Sequence, residues 1–372
     1  MSQFANHPDV IIVGGGPAGL AAAIAAREKG FRVLVADCSA PPMEKPCGEG
    51  LMPNSLAALA RLGVAAGAAP SFPFSGIRFC AGGYSVEAGF PSGVGRGIRR
   101  NVLHQLLVDR AREVGADFCW NARVASIARR AVTINGETVP CRWIVGADGQ
   151  KSIVRRWAGL DRTRYSRRRF GFRRHYRVAP WTDRMELHWG DGCQFYITPV
   201  HSGEVCVVVM SRDRHLRMDA ALENFPELQG RLAGAPANRE RGALISTASY
   251  EKVARGDVFL IGDASGSVDA ITGHGLCLSF QQAFSLAAAM ESGRVEQYQE
   301  EHRKLMRRPM FMGELLLALD RFPWLRRRAI ETLAAHPDRF AHLLSAHVGE
   351  EALSGVVLHG LLPLAWGMLA AG

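Results

Sequence analysis

The sequence predicts an α/β fold: a Rossmann-like domain, an antiparallel β-sheet domain inserted between its pieces, and a helical C-terminal region. Three observations predict it. Residues 9–37, DVIIVGGGPAGLAAAIAAREKGFRVLVAD, read as an apolar strand, a glycine-rich turn, an Ala-rich helix able to pack close to a sheet, and a second strand. Apolar strands ending beside an aspartate recur downstream, at IVGADG (144–149) and VFLIGDASG (258–266). Between those two, residues 165–212 alternate apolar and polar, with CQFYITPV and EVCVVVM the clearest antiparallel strands.

The remaining elements follow in order. NSLAALARLG (54–63) and RNVLHQLLVDRAREVGA (100–116) are helical. Residues 71–99 are rich in Gly, Pro, Phe and Ser and read as short strands and turns, a first excursion out of the Rossmann-like domain. A meander then closes on a buried strand at Trp143–Ala147, and the strand at 257–262 returns to the first domain. The expected division is 1–70, 96–160 and 255–300 for the nucleotide-binding domain, 71–95 and 161–254 for the substrate-binding sheet, and 301–372 for the helical region. That last region reads as helices broken at Pro309, Pro323 and Pro337. The final residues, 355–372, carry no formal charge with His359 neutral and come close to the lower limit for a membrane span. Pro363 and His359 weaken the spanning reading. Packing on the protein itself or on a second subunit remains open, as does a peripheral membrane contact helped by FPWLRRR (322–328).

Composition bounds the rest. A chain of 372 residues with 48% apolar content has room for two domains and a sizeable core. The opening MSQFANHPDV lacks a signal-peptide pattern, so a cytoplasmic, possibly membrane-peripheral location is expected. The 8 cysteines are scattered without a CxxC pair, which predicts free thiols and no structural metal. The net charge of +10 comes mainly from arginine, densest in RTRYSRRRFGFRRHYR (162–177). With Phe170, Phe172 and Tyr176 interleaved, that run reads as a strand with one wet, arginine-bearing face. No nucleic-acid-binding module accompanies it, and no nucleic-acid partner is expected.

Gly14, Gly16 and Gly19, with Ala18 inside the motif, form G-x-G-x-x-G between a strand and a helix. In that context the first glycine makes the turn, the second lets a pyrophosphate approach the backbone, and the third lets helix and strand pack. The helix N-terminus offers amides and a partial positive charge to the phosphates. Asp37 ends the next strand, 23 residues after Gly14, where a carboxylate can bind ribose hydroxyls. These residues predict a dinucleotide site.

The Asp148-Gly149 of IVGADGQKSIVRR and the Gly262-Asp263 of VFLIGDASG, in that order after the glycine motif, resemble the flavoprotein superfamily of group A flavin monooxygenases and geranylgeranyl reductases. The resemblance runs over roughly residues 8–300. It implies a glutathione-reductase-type FAD-binding domain, FAD as cofactor and NADPH or NADH as reductant. It also implies that Asp263 binds the ribityl chain, that Arg100 lies near the phosphates or ribityl, and that Val124 meets the adenine through its backbone. Gly273 and Gly275 would bring the helix N-terminus that follows them close to the flavin pyrimidine, where its dipole stabilises negative charge. Asp148 could alternatively cap the helix after it.

Two branches of the superfamily remain open. A monooxygenase hydroxylating a hydrophobic aromatic or polyketide-type molecule is the first expectation. A geranylgeranyl-reductase-like enzyme saturating C=C bonds of an isoprenoid or other lipophilic substrate is the alternative, and a flavin-binding redox sensor is a non-enzymatic third. The loop GSVDAITGHGL resembles the reductase pattern G-x-V-D-P-x-T-G-E-G, with Ala270 for the proline and His274 for the glutamate. Halogenases of the superfamily carry W-x-W-x-I-P, where this chain reads CQFYITP, and no lysine lies between 45 and 151 to serve a halogenating tunnel. Candidate reacting residues are Cys47 in the loop KPCGEGL, as a proton donor or redox contact, His274, as a proton relay at a helix start, and Tyr196, orienting substrate. Glu49 could bind substrate or cap the helix beginning near Asn54.

Overall fold

The computed structural model describes residues 7–352. A six-stranded sheet has the order Ala254–Arg255, Val258–Leu260, Trp143–Gly146, Val10–Val13, Val33–Asp37, Asp117–Trp120, parallel except for its first pair. Its four central strands are short apolar runs, rich in Val, Ile and Leu and buried on both faces, as the interior of a parallel sheet requires.

Among the described residues ten α-helices accompany the sheets, in chain order α1 (Pro17–Glu28), α2 (Pro53–Arg61), α3 (Arg100–Glu113), α4 (Ile153–Trp157), α5 (Met218–Leu222), α6 (Pro226–Leu232), α7 (Gly275–Ser292), α8 (Val295–Arg321), α9 (Pro323–Ala335) and α10 (Pro337–Val348). Helix α1 starts at Pro17, whose fixed φ suits the first helical position, and its alanines let it lie between α3 and α7. A short antiparallel meander, Val124–Ala128, Ala131–Ile134 and Glu137–Pro140, stands beside this layer.

A second sheet of eight strands has the order Gly266–Ser267, Arg241–Tyr250, Thr163–Tyr176, Glu204–Ser211, Cys193–His201, Arg184–Trp189, Gly76–Ala81, Tyr84–Gly89. It is antiparallel except where Arg184–Trp189 pairs with Gly76–Ala81. Phe195, Ile197 and Val207 on one face pack with α5 and α6. Tyr196, Met185 and Leu187 on the other face meet Leu316, Ile330 and Leu344 of α8, α9 and α10.

Two expectations are corrected here. Arg169, Arg173 and His175 of the arginine-rich strand point inward and are buried, while Phe172 lies on the opposite side under Arg217. Alternation sets the period of a strand but not which face meets water. What decides it is pairing: Arg169 meets Asp269 at 3.2 Å, and Arg173 meets Glu49 at 2.8 Å and Glu44 at 2.6 Å. The second correction is Pro309, which sits inside α8 instead of ending it. Its ring removes a backbone hydrogen bond, but buried Met306, Met312 and Leu316 hold that helix against the body on both sides of it. The breaks at Pro323 and Pro337 are present, each opening a helix. Residues 355–372 lie outside the described residues. No described helix is long and apolar enough to cross a membrane.

Candidate active site

A cleft of about 590 Å³ runs from the glycine-rich turn, between the two sheets, to the start of α7. Gly14 turns the chain at φ +113°, and a Cβ there would stand 2.4 Å from the Ala147 carbonyl oxygen. A Cβ on Gly19 would stand 1.9 Å from the Gly14 oxygen, so this glycine sets how closely α1 rests on the sheet. Gly16 differs: a Cβ there would meet nothing within 4 Å. Its open side, with Ala18 and Pro17 beside it, faces the cleft.

Asp37 lines the cleft at the end of its strand, and it also holds the turn, accepting from the Gly15 amide at 2.7 Å. His104 of α3 bonds the Gly15 carbonyl at 2.8 Å, a contact that no motif announces. Burial holds that imidazole below its ordinary pKa, the Gly15 bond opposing it. Arg100 and Val124 line the same end.

At the other end, Gly262 takes a positive φ of +61° and its amide donates to Gln282 at 2.8 Å. Asp263 then faces the cleft and pairs with Lys45 at 3.3 Å. Asp148 borders the cleft but caps α4, accepting from Ile153 N at 2.7 Å and Val154 N at 3.2 Å. Buried Arg155 joins the two aspartate loops, donating to the carbonyls of Gln150 and Ala264 at 2.9 Å each. The loop before α7 is a tight 3₁₀ turn, Ala270–Thr272, closed by Gly273 at φ +67°. Its capping residue, Asp269, accepts from the Ile271 amide at 3.0 Å. Gly275, the first residue of α7, has open space where a Cβ would stand, so the helix N-terminus is presented bare to the cleft.

A model of the FAD binding domain matches residues 7–304. The chain belongs to the FAD binding domain family. It is therefore an FAD-dependent oxidoreductase of the group A flavoprotein superfamily. The flavoenzyme is 30% identical over 354 residues to the menaquinone reductase of Mycolicibacterium smegmatis, covering 85% of this chain and 86% of that one. It is also 30% identical to the rifampicin monooxygenase of Rhodococcus hoagii, but over 161 residues, 40% of this chain and 33% of that one. Among solved structures, a flavoprotein/dehydrogenase from Cytophaga hutchinsonii superposes with a TM-score of 0.85 at 18% identity, covering 98% of this chain and 100% of that one. The cleft suits the cofactor on its own evidence. Open space over Gly16 and Gly275 puts bare helix starts at two places, one for phosphates and one for an electron-rich ring, with Asp37 and Asp263 as hydroxyl acceptors between them.

The three candidate reacting residues of the flavoenzyme part company. Cys47 lines the cleft, half-buried, with the Glu49 amide 3.4 Å from its Sγ and its carbonyl accepting from Cys206 at 3.7 Å. Tyr196 also lines it, but its hydroxyl donates to the Ile271 carbonyl, so it braces the loop before α7. Burial raises its pKa well beyond the usual phenol value. His274 corrects the expectation of a proton relay. It is buried and is not among the residues lining the cleft; its Nε2 bonds the His347 carbonyl of α10 at 3.0 Å, and burial pushes its pKa down to about 4.

Glu49 caps α3, not α2. It stands at φ +60° with one oxygen on the Arg100 amide at 3.0 Å and on Arg173, the other on His175 at 2.7 Å. Burial alone would raise its pKa, but His175, the Arg100 amide and Arg173 together hold it below the ordinary carboxylate value.

A second cavity, of about 320 Å³, had no motif to announce it. Ile77, Phe79 and Leu187 of the large sheet form its floor, and Leu316, Ala329, Leu333 and Leu344 from α8, α9 and α10 form its roof. Met185 and Tyr196 line both this cavity and the cleft.

Proposed function

We propose that the enzyme reduces a C=C bond in the isoprenoid part of a lipophilic substrate, such as a prenylated quinone, with NADPH or NADH as the source of electrons. The carrying observation is the apolar second cavity sharing Met185 and Tyr196 with the cleft. A long hydrocarbon tail can lie under α8–α10 while one of its double bonds reaches the cleft. Each methylene buried there contributes about 0.8 kcal/mol. The loop GSVDAITGHGL and the extent of the match to a menaquinone reductase support the same branch.

FAD, when bound, supplies the hydride. The chain's part is placement and protonation. Gly14, Gly16 and Gly19 with the start of α1 hold the phosphates, Asp37 and Asp263 the hydroxyl-bearing parts, and the start of α7 the ring's negative charge. Met185 and Tyr196 fix the substrate's approach. Cys47, facing the cleft, delivers the proton to the second alkene carbon and is reprotonated from solvent. Hydroxylation of a hydrophobic aromatic compound, the first expectation from sequence, becomes the second reading. The similarity to a named monooxygenase covers 40% of the chain, against 85% for the named reductase.

The test is turnover of a polyprenyl quinone by reduced enzyme under strict anaerobiosis. The expected result is a product heavier by two hydrogens, with Cys47→Ser slowing it while leaving flavin reduction by NAD(P)H unchanged. A product that forms only in air and carries oxygen from labelled O₂ would overturn the proposal in favour of hydroxylation.

A further inference from the structure

Helix α9 has two different faces. Leu325, Ala329 and Leu333 face inward as part of the roof of the apolar cavity. Trp324, 67% exposed, lies at its outer start beside Phe322, 41% exposed. Tyr84, 44% exposed, stands at the hairpin of the strands packed under α9. These are three of the five large apolar side chains left exposed among the described residues, and they gather around one helix. Cations accompany them. Residues 321–331 hold four arginines against one glutamate; Arg326 is buried on Asp191 at 2.9 Å and Arg327 pairs with Glu331 at 2.8 Å, while the exposed Arg321 guanidinium sits 5.4 Å from the Phe322 ring.

We propose that the corner between α8 and α9, with Phe322 and Trp324 at its tip, docks on an anionic lipid bilayer, so that α9 becomes a roof between membrane and cavity. The partner follows from chemistry. Tryptophan and phenylalanine at a surface rimmed by arginine match the interfacial zone of a membrane, with rings at headgroup depth and cations at phosphate level. The proposal rests on the reductase reading for its purpose: a substrate whose tail dissolves in lipid would reach the cavity along α9 without crossing water. It needs no substrate for its test.

The full chain, loaded with FAD, is sedimented with phosphatidylcholine vesicles made with and without phosphatidylglycerol. Binding is expected to the anionic vesicles, and to weaken with added salt. The double variant Phe322→Ser/Trp324→Ser should partition about tenfold less while retaining FAD. In parallel, vesicles of brominated lipid should quench wild-type tryptophan fluorescence by more than they quench Trp324→Phe. No binding by the wild type, or equal binding by the double variant, overturns the proposal. So does a lipid-free dimer that the double variant dissolves, since that assigns the patch to a second copy of the chain. None of these results bears on whether the enzyme reduces an alkene in detergent, so the two proposals fail separately.

Discussion

The cleft and the apolar cavity lie side by side, yet they are made in opposite ways. The cleft is built from backbone: glycines, helix starts and strand ends whose side chains are absent or small. The cavity is built from side chains, drawn from strand residues near 77–79 and 185–196 and from helices beyond 312. Backbone sites tolerate no added atom but little depends on which apolar residues surround them. Side-chain cavities tolerate exchange, since volume and polarity are what they specify.

The largest effect should therefore come from one methyl group in the cleft. Gly19→Ala places a Cβ against the Gly14 oxygen, and neither α1 nor the turn can yield without opening the phosphate site. The expected outcome is protein purified without flavin, read from its visible absorbance. Gly16→Val separates binding from folding. Its side chain meets no protein atom at the Cβ, so the far-ultraviolet circular dichroism should stay native while FAD affinity falls roughly 100-fold, about 2.7 kcal/mol.

Legibility in the sequence divides along the same line. Gly14, Gly16 and Gly19, Asp37 and Gly262-Asp263 were readable because a backbone requirement leaves a fixed spacing in one stretch of chain. The antiparallel insert was readable from its alternation. Whether Arg173 faced water or the interior was not, because its partner Glu49 lies 124 residues away. The cavity was not readable either. Ile77, Leu187 and Leu344 are ordinary apolar residues until three separate elements bring them together. His274 was not readable either, because a place at a helix start does not say which way a ring points, and this one turns toward α10.

Glu49 is the place where the cleft does depend on side chains, and it carries the next effect. Glu49→Ala leaves buried His175 without its carboxylate and buried Arg173 with Glu44 alone, and should cost about 3 kcal/mol of stability, seen as a lower melting temperature. Glu49→Gln keeps the shape and should cost less. The native pKa lies below the ordinary 4.5, so the stabilisation is present above that pH and is lost as pH falls through the lower native value. Acid unfolding curves of Glu49→Gln should therefore be shallower below about pH 4.5 than those of the wild type.

In the cavity a single change should be milder and more selective. Ala329→Phe adds a ring to the roof and should lower kcat/KM for a long polyprenyl substrate about tenfold, with flavin content and the rate of flavin reduction unaltered. A short-chain analogue should be processed as before. Equal loss on both substrates would mean that the tail does not lie under α9.

The smallest effect concerns a polar contact that ties the two regions together. His274 stands between Gly273 and Gly275 of the cleft, and its ring meets that of His347, which lines the cavity, at 4.3 Å. The bonds run both ways, His274 to the His347 carbonyl at 3.0 Å and His347 to the Thr272 carbonyl at 2.9 Å. Burial favours the neutral ring, with a native pKa of about 4 against an ordinary 6.5. The unfolded chain takes up the proton first as pH drops, so the stability conferred by neutral His274 is present above pH 6.5 and drains away toward pH 4. His274→Leu should flatten the loss of stability across that window. His347 and His302 are also held neutral by burial and keep part of the slope. Flavin reduction at neutral pH should change by less than about twofold, since a group that stays neutral and faces α10 has no proton to exchange with the cleft. A larger change, with folding and flavin content intact, would mean that the α10 contact positions the loop before α7, and that the apolar cavity and the backbone-built cleft respond to one another through this pair.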